Sequence, residues 1–164
     1  MAIIYCAGKM TKWLGAVNPL PENPIAENSW NANLFKIERK NWLICVHNPT
    51  AYCLLFPEIK KADMKAFQIW FYPRLSEQLH YDGIEPELAA TFPSSKIELF
   101  KTNNHKRMIG IMNRHVTDLK YSFPWWGGVD NISLLEANHR FNEIPIGPSP
   151  YTLPIKEMQS FLDR

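Results

Sequence analysis

Residues 30–56, WNANLFKIERKNWLICVHNPTAYCLLF, decide the fold. Leu34–Ile37 reads as one strand and Glu38–Asn41 as a polar turn. Trp42–Val46 is a second strand, Asn48-Pro49-Thr50 a turn, and Ala51–Phe56 a third strand. Strands joined by turns this short pair antiparallel. The second and third are apolar on both faces. The sheet is therefore expected to be covered on both sides, or by helices on one side and a partner on the other.

Upstream, Ile3–Cys6 is a short β-favouring run, and Lys9–Leu14 suits a short helix ended near Gly15. Residues 18–29 carry Pro19, Pro21 and Pro24 and read as an irregular connection. Downstream, Met64, Phe67, Phe71, Leu75 and Leu79 recur at three- and four-residue steps, so 60–79 is expected to be a long helix. Pro73 should kink or split it. Residues 80–95 form a polar connection with one helical turn near Glu87–Ala90, and Lys96–Phe100 alternates as a strand.

The clearest helix carries Ile109, Met112, Val116, Leu119 and Phe123, stopped by Pro124 and Gly127-Gly128. Ser133-x-x-Glu136 has capping-box spacing and opens a helix that ends before Pro145. Residues 145–154 form a proline-rich loop before a last helix, Ile155–Leu162. The whole, 1–164, reads as a single α+β domain: a small, mainly antiparallel sheet packed by four or five helices.

Composition narrows the function classes. The chain has 164 residues, 46% of them hydrophobic, 21% charged and 13% aromatic. That excludes disorder as the main state. No run of 18 apolar residues occurs, which excludes a spanning helix, and no membrane partner is expected. Cys6, Cys45 and Cys53 are odd in number and sit in apolar stretches, so buried free thiols are expected rather than a disulfide framework. With no signal-peptide pattern at the N-terminus, a reducing cytoplasm is the expected location.

Net charge is only +2, but residues 96–120 hold +4 of it, and the rest of the chain holds −2. This segment is the candidate site. Lys101-Thr102-Asn103-Asn104-His105-Lys106-Arg107 forms a polar loop opening a helix, where free backbone N–H groups and the helix dipole favour an anion. Lys101 and Arg107 supply charge, while Thr102, Asn103, Asn104 and Asn113 supply neutral donors. Lys9 and Lys12 add charge from the N-terminal region. The plainer alternative is that Thr and Asn simply make turns and cap the helix.

The leading expectation is a binding or regulatory domain for a phosphate-bearing ligand or nucleic acid. The rival is a metal-independent, RNase-like enzyme in which His105 moves protons and Lys101 or Arg107 stabilises phosphate charge. A third reading is a protein–protein module at Trp125 and Trp126, which cannot easily both be buried beside Pro124. No metal site and no cofactor is called for. G-x-G-x-x-G, P-loop, H-E-x-x-H, G-x-S-x-G and C-x-x-C patterns do not occur. The 13 asparagines pose a separate question. Asn33, Asn138 and Asn142 border apolar positions, so their amides either hold backbone in place or line a pocket.

Lys101-Thr102-Asn103-Asn104 followed by Gly110-x-Met112-Asn113 resembles a motif of a family of small bacterial proteins of unknown function. Trp30-x-Ala32-Asn33-Leu34, Lys60-Lys61-Ala62-Asp63 and Asn138-x-Arg140-x-Asn142-x-x-Pro145 fit the same pattern. The resemblance spans residues 2–162. It departs from the pattern in the basic stretch between Asn104 and Gly110 and at Arg114, where an acidic residue is expected. It implies one intact domain and brings no activity with it.

Overall fold

A computed structural model describes residues 1–23, 27–147 and 151–164. Pro24, Pro148 and Pro150, which the sequence assigns to loops, lie outside the described residues. Five strands form one sheet: β1 (Ala2–Cys6), β2 (Ser29–Ile37), β3 (Lys40–His47), β4 (Cys53–Phe56) and β5 (Ile97–Lys101), in the order β4-β3-β2-β1-β5. Among the described residues there are six α-helices: α1 (Gly8–Leu14), α2 (Phe67–Tyr81), α3 (Pro86–Ala89), α4 (Lys106–Ser122), α5 (Leu134–Asn142) and α6 (Pro154–Leu162). This is the α+β domain the sequence predicts.

The expected antiparallel part is β2-β3-β4. Eight residue pairs join β2 to β3 and four join β3 to β4. The β2–β3 turn is the two residues Glu38 and Arg39, both with positive φ (47° and 68°). That mirror-image turn matches the twist of a hairpin. β1 instead runs parallel to both β2 and β5. All five of its residues are buried, as a strand with neighbours and helices on every side requires.

Two apolar layers flank the sheet. One joins Ile4, Trp30, Leu43, Cys45 and Leu54 to Met10 of α1, to Phe67, Phe71 and Leu75 of α2, and to Met158 of α6. The other joins Phe35, Ile44, Val46 and Leu55 to Met108, Met112 and Leu119 of α4 and Phe141 of α5. The sheet is thus covered on both sides by the chain itself.

The long helical stretch divides differently from expectation. Lys61–Ala66 forms a 3-10 turn, the break falls at Ala66 (φ −126°, ψ 34°), and α2 then runs through Pro73. Proline removes the bond to the carbonyl four residues back, here that of exposed Ile69, where water can take its place. The first strand of the hairpin is also longer than predicted, starting at Ser29.

Candidate functional site

The polar segment after β5 forms its own turn. Thr102 Oγ1 accepts from the Asn104 N–H at 3.1 Å, and Asn103 Oδ1 accepts from the His105 N–H at 3.2 Å. Asn104 has φ 54°, a left-handed conformation that Asn tolerates better than most residues. His105 caps α4, its Nδ1 accepting from the Met108 N–H at 3.5 Å. The side chains of Thr102, Asn103 and His105 are engaged in building the loop and capping the helix.

The two cavities along α4 take up Arg107 and Asn113 but no residue from 101 to 105. The predicted set is therefore divided. Lys101 to His105 sit at the tip of α4. Arg107 lies on one flank of the helix and Asn113 on the other. The physical reason is helical periodicity. Met108, Met112, His115 and Leu119 form the buried stripe. Positions 107, 111 and 114 fall to one side of it, and 113, 116 and 120 to the other.

On the Asn113 side is a cavity of about 430 Å3. It lies where β1 ends. Pairing of β1 with β2 stops at Cys6 and Ala32, and the Ala7 N–H closes onto the Ala32 carbonyl at 2.8 Å. β2 continues to Ile37, with no strand on that side among the described residues. α1 and α4 wall the resulting notch, with Lys9 and Trp13 from α1, and Asn113, Val116 and Lys120 from α4. β2 contributes Asn33, Leu34, Phe35 and Lys36, and β3 contributes Asn41.

Three lysines and, among the described residues, no carboxylate line the notch. Among the described residues, Lys9, Lys36 and Lys120 enter no ion pair. Asn33 folds its Oδ1 back onto the Leu34 N–H at 2.9 Å, occupying one backbone donor at the unpaired edge of β2. Of the residues singled out from sequence, Lys9, Asn33 and Asn113 converge here. Lys36 and Asn41 were missed, and Lys120 counted only toward the net charge of residues 96–120. Their signal was weak, because only the end of β1 creates the space they share.

The Trp pair divides too. Trp126 is half-buried against the second core, with the Arg140 guanidinium 5.2 Å from its ring centre. Trp125 is 86% exposed. All three thiols are buried, free and pushed up in pKa by desolvation, Cys6 to about 12. They are poor nucleophiles in that state.

Asn138 and Asn142 hold backbone. Asn142 takes both backbone groups of Cys53, and Asn138 Oδ1 accepts from the Leu55 N–H at 2.9 Å. Behind them, the fully buried Asp82 carboxylate accepts from Gln78 Nε2 at 3.0 Å and from the Tyr52 hydroxyl, and it lies 2.8 Å from His139 Nδ1. This network ties α2, β4 and α5 together.

Residues 3–157 match the family described as a domain of unknown function (DUF6933), and the chain belongs to that family. No curated protein and no solved structure matches it. No helix among the described residues is long and apolar enough to cross a membrane.

Proposed function

We propose that this member of the family is a binding domain for a phosphate-bearing ligand of nucleotide type, seated in the notch between α1, β2 and α4. The observation that carries the reading is the convergence of Lys9, Lys36 and Lys120 on one cavity with no carboxylate in its described lining. Clustered cations of one sign, walled by low-dielectric surface, attract phosphate. Trp13 offers a face for base stacking, and Asn33, Asn41 and Asn113 offer amides that both donate and accept. The basic loop at 101–107 adds charge near one end of the same helix. The buried, unpaired thiols fit a reducing cytoplasm.

The test is a titration with AMP, inorganic phosphate and a short RNA at two salt concentrations, following Trp fluorescence and RNA integrity. AMP should bind and quench, and Trp13→Phe should remove the signal. Lys36→Ala with Lys120→Ala should weaken binding about tenfold or more, which is about 1.4 kcal/mol. Unaltered affinity in that double variant would sink the site. RNA cleavage abolished by His105→Ala would instead support the enzyme reading.

A protein-partner reading has one observation in its favour. Trp125 and Tyr121 are exposed four residues apart, at 86% and 75%. Loss of a complex on Trp125→Ala, with nucleotide binding intact, would support it.

A further inference from the structure

On the flank of α4 opposite the notch lies a second cavity, of about 370 Å3. Gly110, Ile111, Arg114 and His115 of α4 line it, with Arg107 one turn earlier. Ile144, Pro145, Ile146 and Gly147 face them, and Tyr151 completes the described lining. His115 is the unusual member. It is 1% exposed, and neither ring nitrogen has a hydrogen-bond partner among the described residues. Phe141 stacks on its ring at 4.5 Å and fixes the ring plane.

A buried polar group left unpaired costs about 1–3 kcal/mol, and folded proteins leave few of them. An imidazole so placed, in the lining of a cavity, is a donor and acceptor awaiting a ligand. The rest of the lining says which kind. Ile111, Ile144, Pro145 and Ile146 make the walls apolar. Arg107 and Arg114 are exposed, and they lie two turns apart on the same flank of α4. Arg114 is only loosely tied to Asp118, at 3.9 Å, and Arg107 enters no ion pair among the described residues. A neutral imidazole and planar guanidinium groups suit a carboxylate, and guanidinium binds it through two parallel bonds.

We propose that this cavity binds an aliphatic carboxylic acid. Its chain lies against the isoleucines, and its carboxylate takes one guanidinium and the His115 N–H. The volume is near the lower end of the roughly 300–1,000 Å3 usual for small-molecule sites, so the acid is short or medium in length. The site is separate from the nucleotide notch, because the buried stripe of α4 lies between them.

The experiment is NMR of the imidazole 15N resonances on the full chain, titrated with octanoate. Octanol and acetate serve as probes lacking the charge or the chain. Octanoate should shift the His115 resonances saturably, and both controls should bind at least tenfold more weakly. Arg107→Ala with Arg114→Ala, both at exposed positions, should weaken octanoate at least tenfold while leaving the unfolding midpoint in place. Lys36→Ala with Lys120→Ala should leave octanoate binding unchanged. The proposal is overturned if octanoate leaves His115 unmoved, if octanol binds as tightly, or if the arginine variant binds like the parent chain.

Discussion

Asn142 pairs with Cys53 as a neighbouring strand would. Its Oδ1 accepts from the Cys53 N–H at 2.7 Å, and its Nδ2 donates to the Cys53 carbonyl at 3.1 Å. Four residues earlier on α5, Asn138 repeats half of the pattern on Leu55. β4 is the last strand on its side of the sheet, so its outer backbone groups would otherwise stay unpaired. One turn of helix advances about 5.4 Å, close enough to the two-residue repeat of a strand for i and i+4 amides to reach alternate residues.

Replacing Asn142 with Ala should therefore leave both Cys53 backbone groups buried and unpaired. The expected loss is about 2–4 kcal/mol of stability, from about 1–3 kcal/mol per group with partial relaxation. Urea unfolding measures it, and hydrogen exchange at the Cys53 and Leu55 amides should accelerate first. An unchanged exchange pattern would mean that this edge is held by something else.

Asp82 is the hub behind this edge. Asp82→Asn replaces one of the two acceptor oxygens with an amide donor, set against either the Gln78 or the Tyr52 donor, and it should cost about 3 kcal/mol. Tyr52→Phe removes one donor and leaves the carboxylate its others, so about 1 kcal/mol is expected. If the two variants prove equally stable, Asp82 does not organise the network.

Two buried histidines predict the acid limb of the stability curve. Burial pushes His47 down to about 3 and His115 down to about 4. In the unfolded chain both titrate near 6.5. Below that pH the unfolded state binds protons that the folded state refuses, so stability is lost as pH falls. The slope approaches about 1.4 kcal/mol per pH unit for each histidine. It should level off for His115 near pH 4 and for His47 near pH 3. His115→Phe should remove one proton's worth of slope between pH 6 and pH 4. An unaltered slope would show that His115 is not held neutral.

The Glu38-Arg39 turn is open to improvement. Both residues adopt the left-handed conformation without the help of Gly or Asn. Each pays about 1 kcal/mol for it. Glu38→Asn with Arg39→Gly should raise stability by about 1–2 kcal/mol with the register Ile37–Lys40 kept, read from the unfolding midpoint. A lower midpoint would contradict the positive φ values.

Trp125 and Trp126 should part company under mutation. Trp126→Ala uncovers the second core and removes the Arg140 contact, so a loss of about 2 kcal/mol or more is expected. Trp125→Ala should fall within about 0.5 kcal/mol of the parent chain. A large loss at Trp125 would mean that its ring is covered in solution.

The sequence by itself determined the hairpin strands around Trp42–Phe56, the α4 helix with Met112 and Leu119 in its buried stripe, and the burial of the three cysteines. Each depends on periodicity or composition within a few neighbouring residues. Met108 and His115, rather than Ile109 and Val116, complete the α4 stripe. Tertiary structure decided the rest. β1 lies between β2 and β5, and nothing in Ile3–Cys6 names its partners, because strand pairing is a long-range choice. Asn138 and Asn142 are spaced for one helix face, yet their bonds to Cys53 and Leu55 cross more than eighty residues of chain. The loop at 101–105 was legible as polar and basic, but the side chains of Thr102, Asn103 and His105 close on their own backbone. The cationic notch forms only because β1 stops at Cys6 while β2 runs on, so Lys9, Lys36 and Lys120 meet in space though no local pattern joins them.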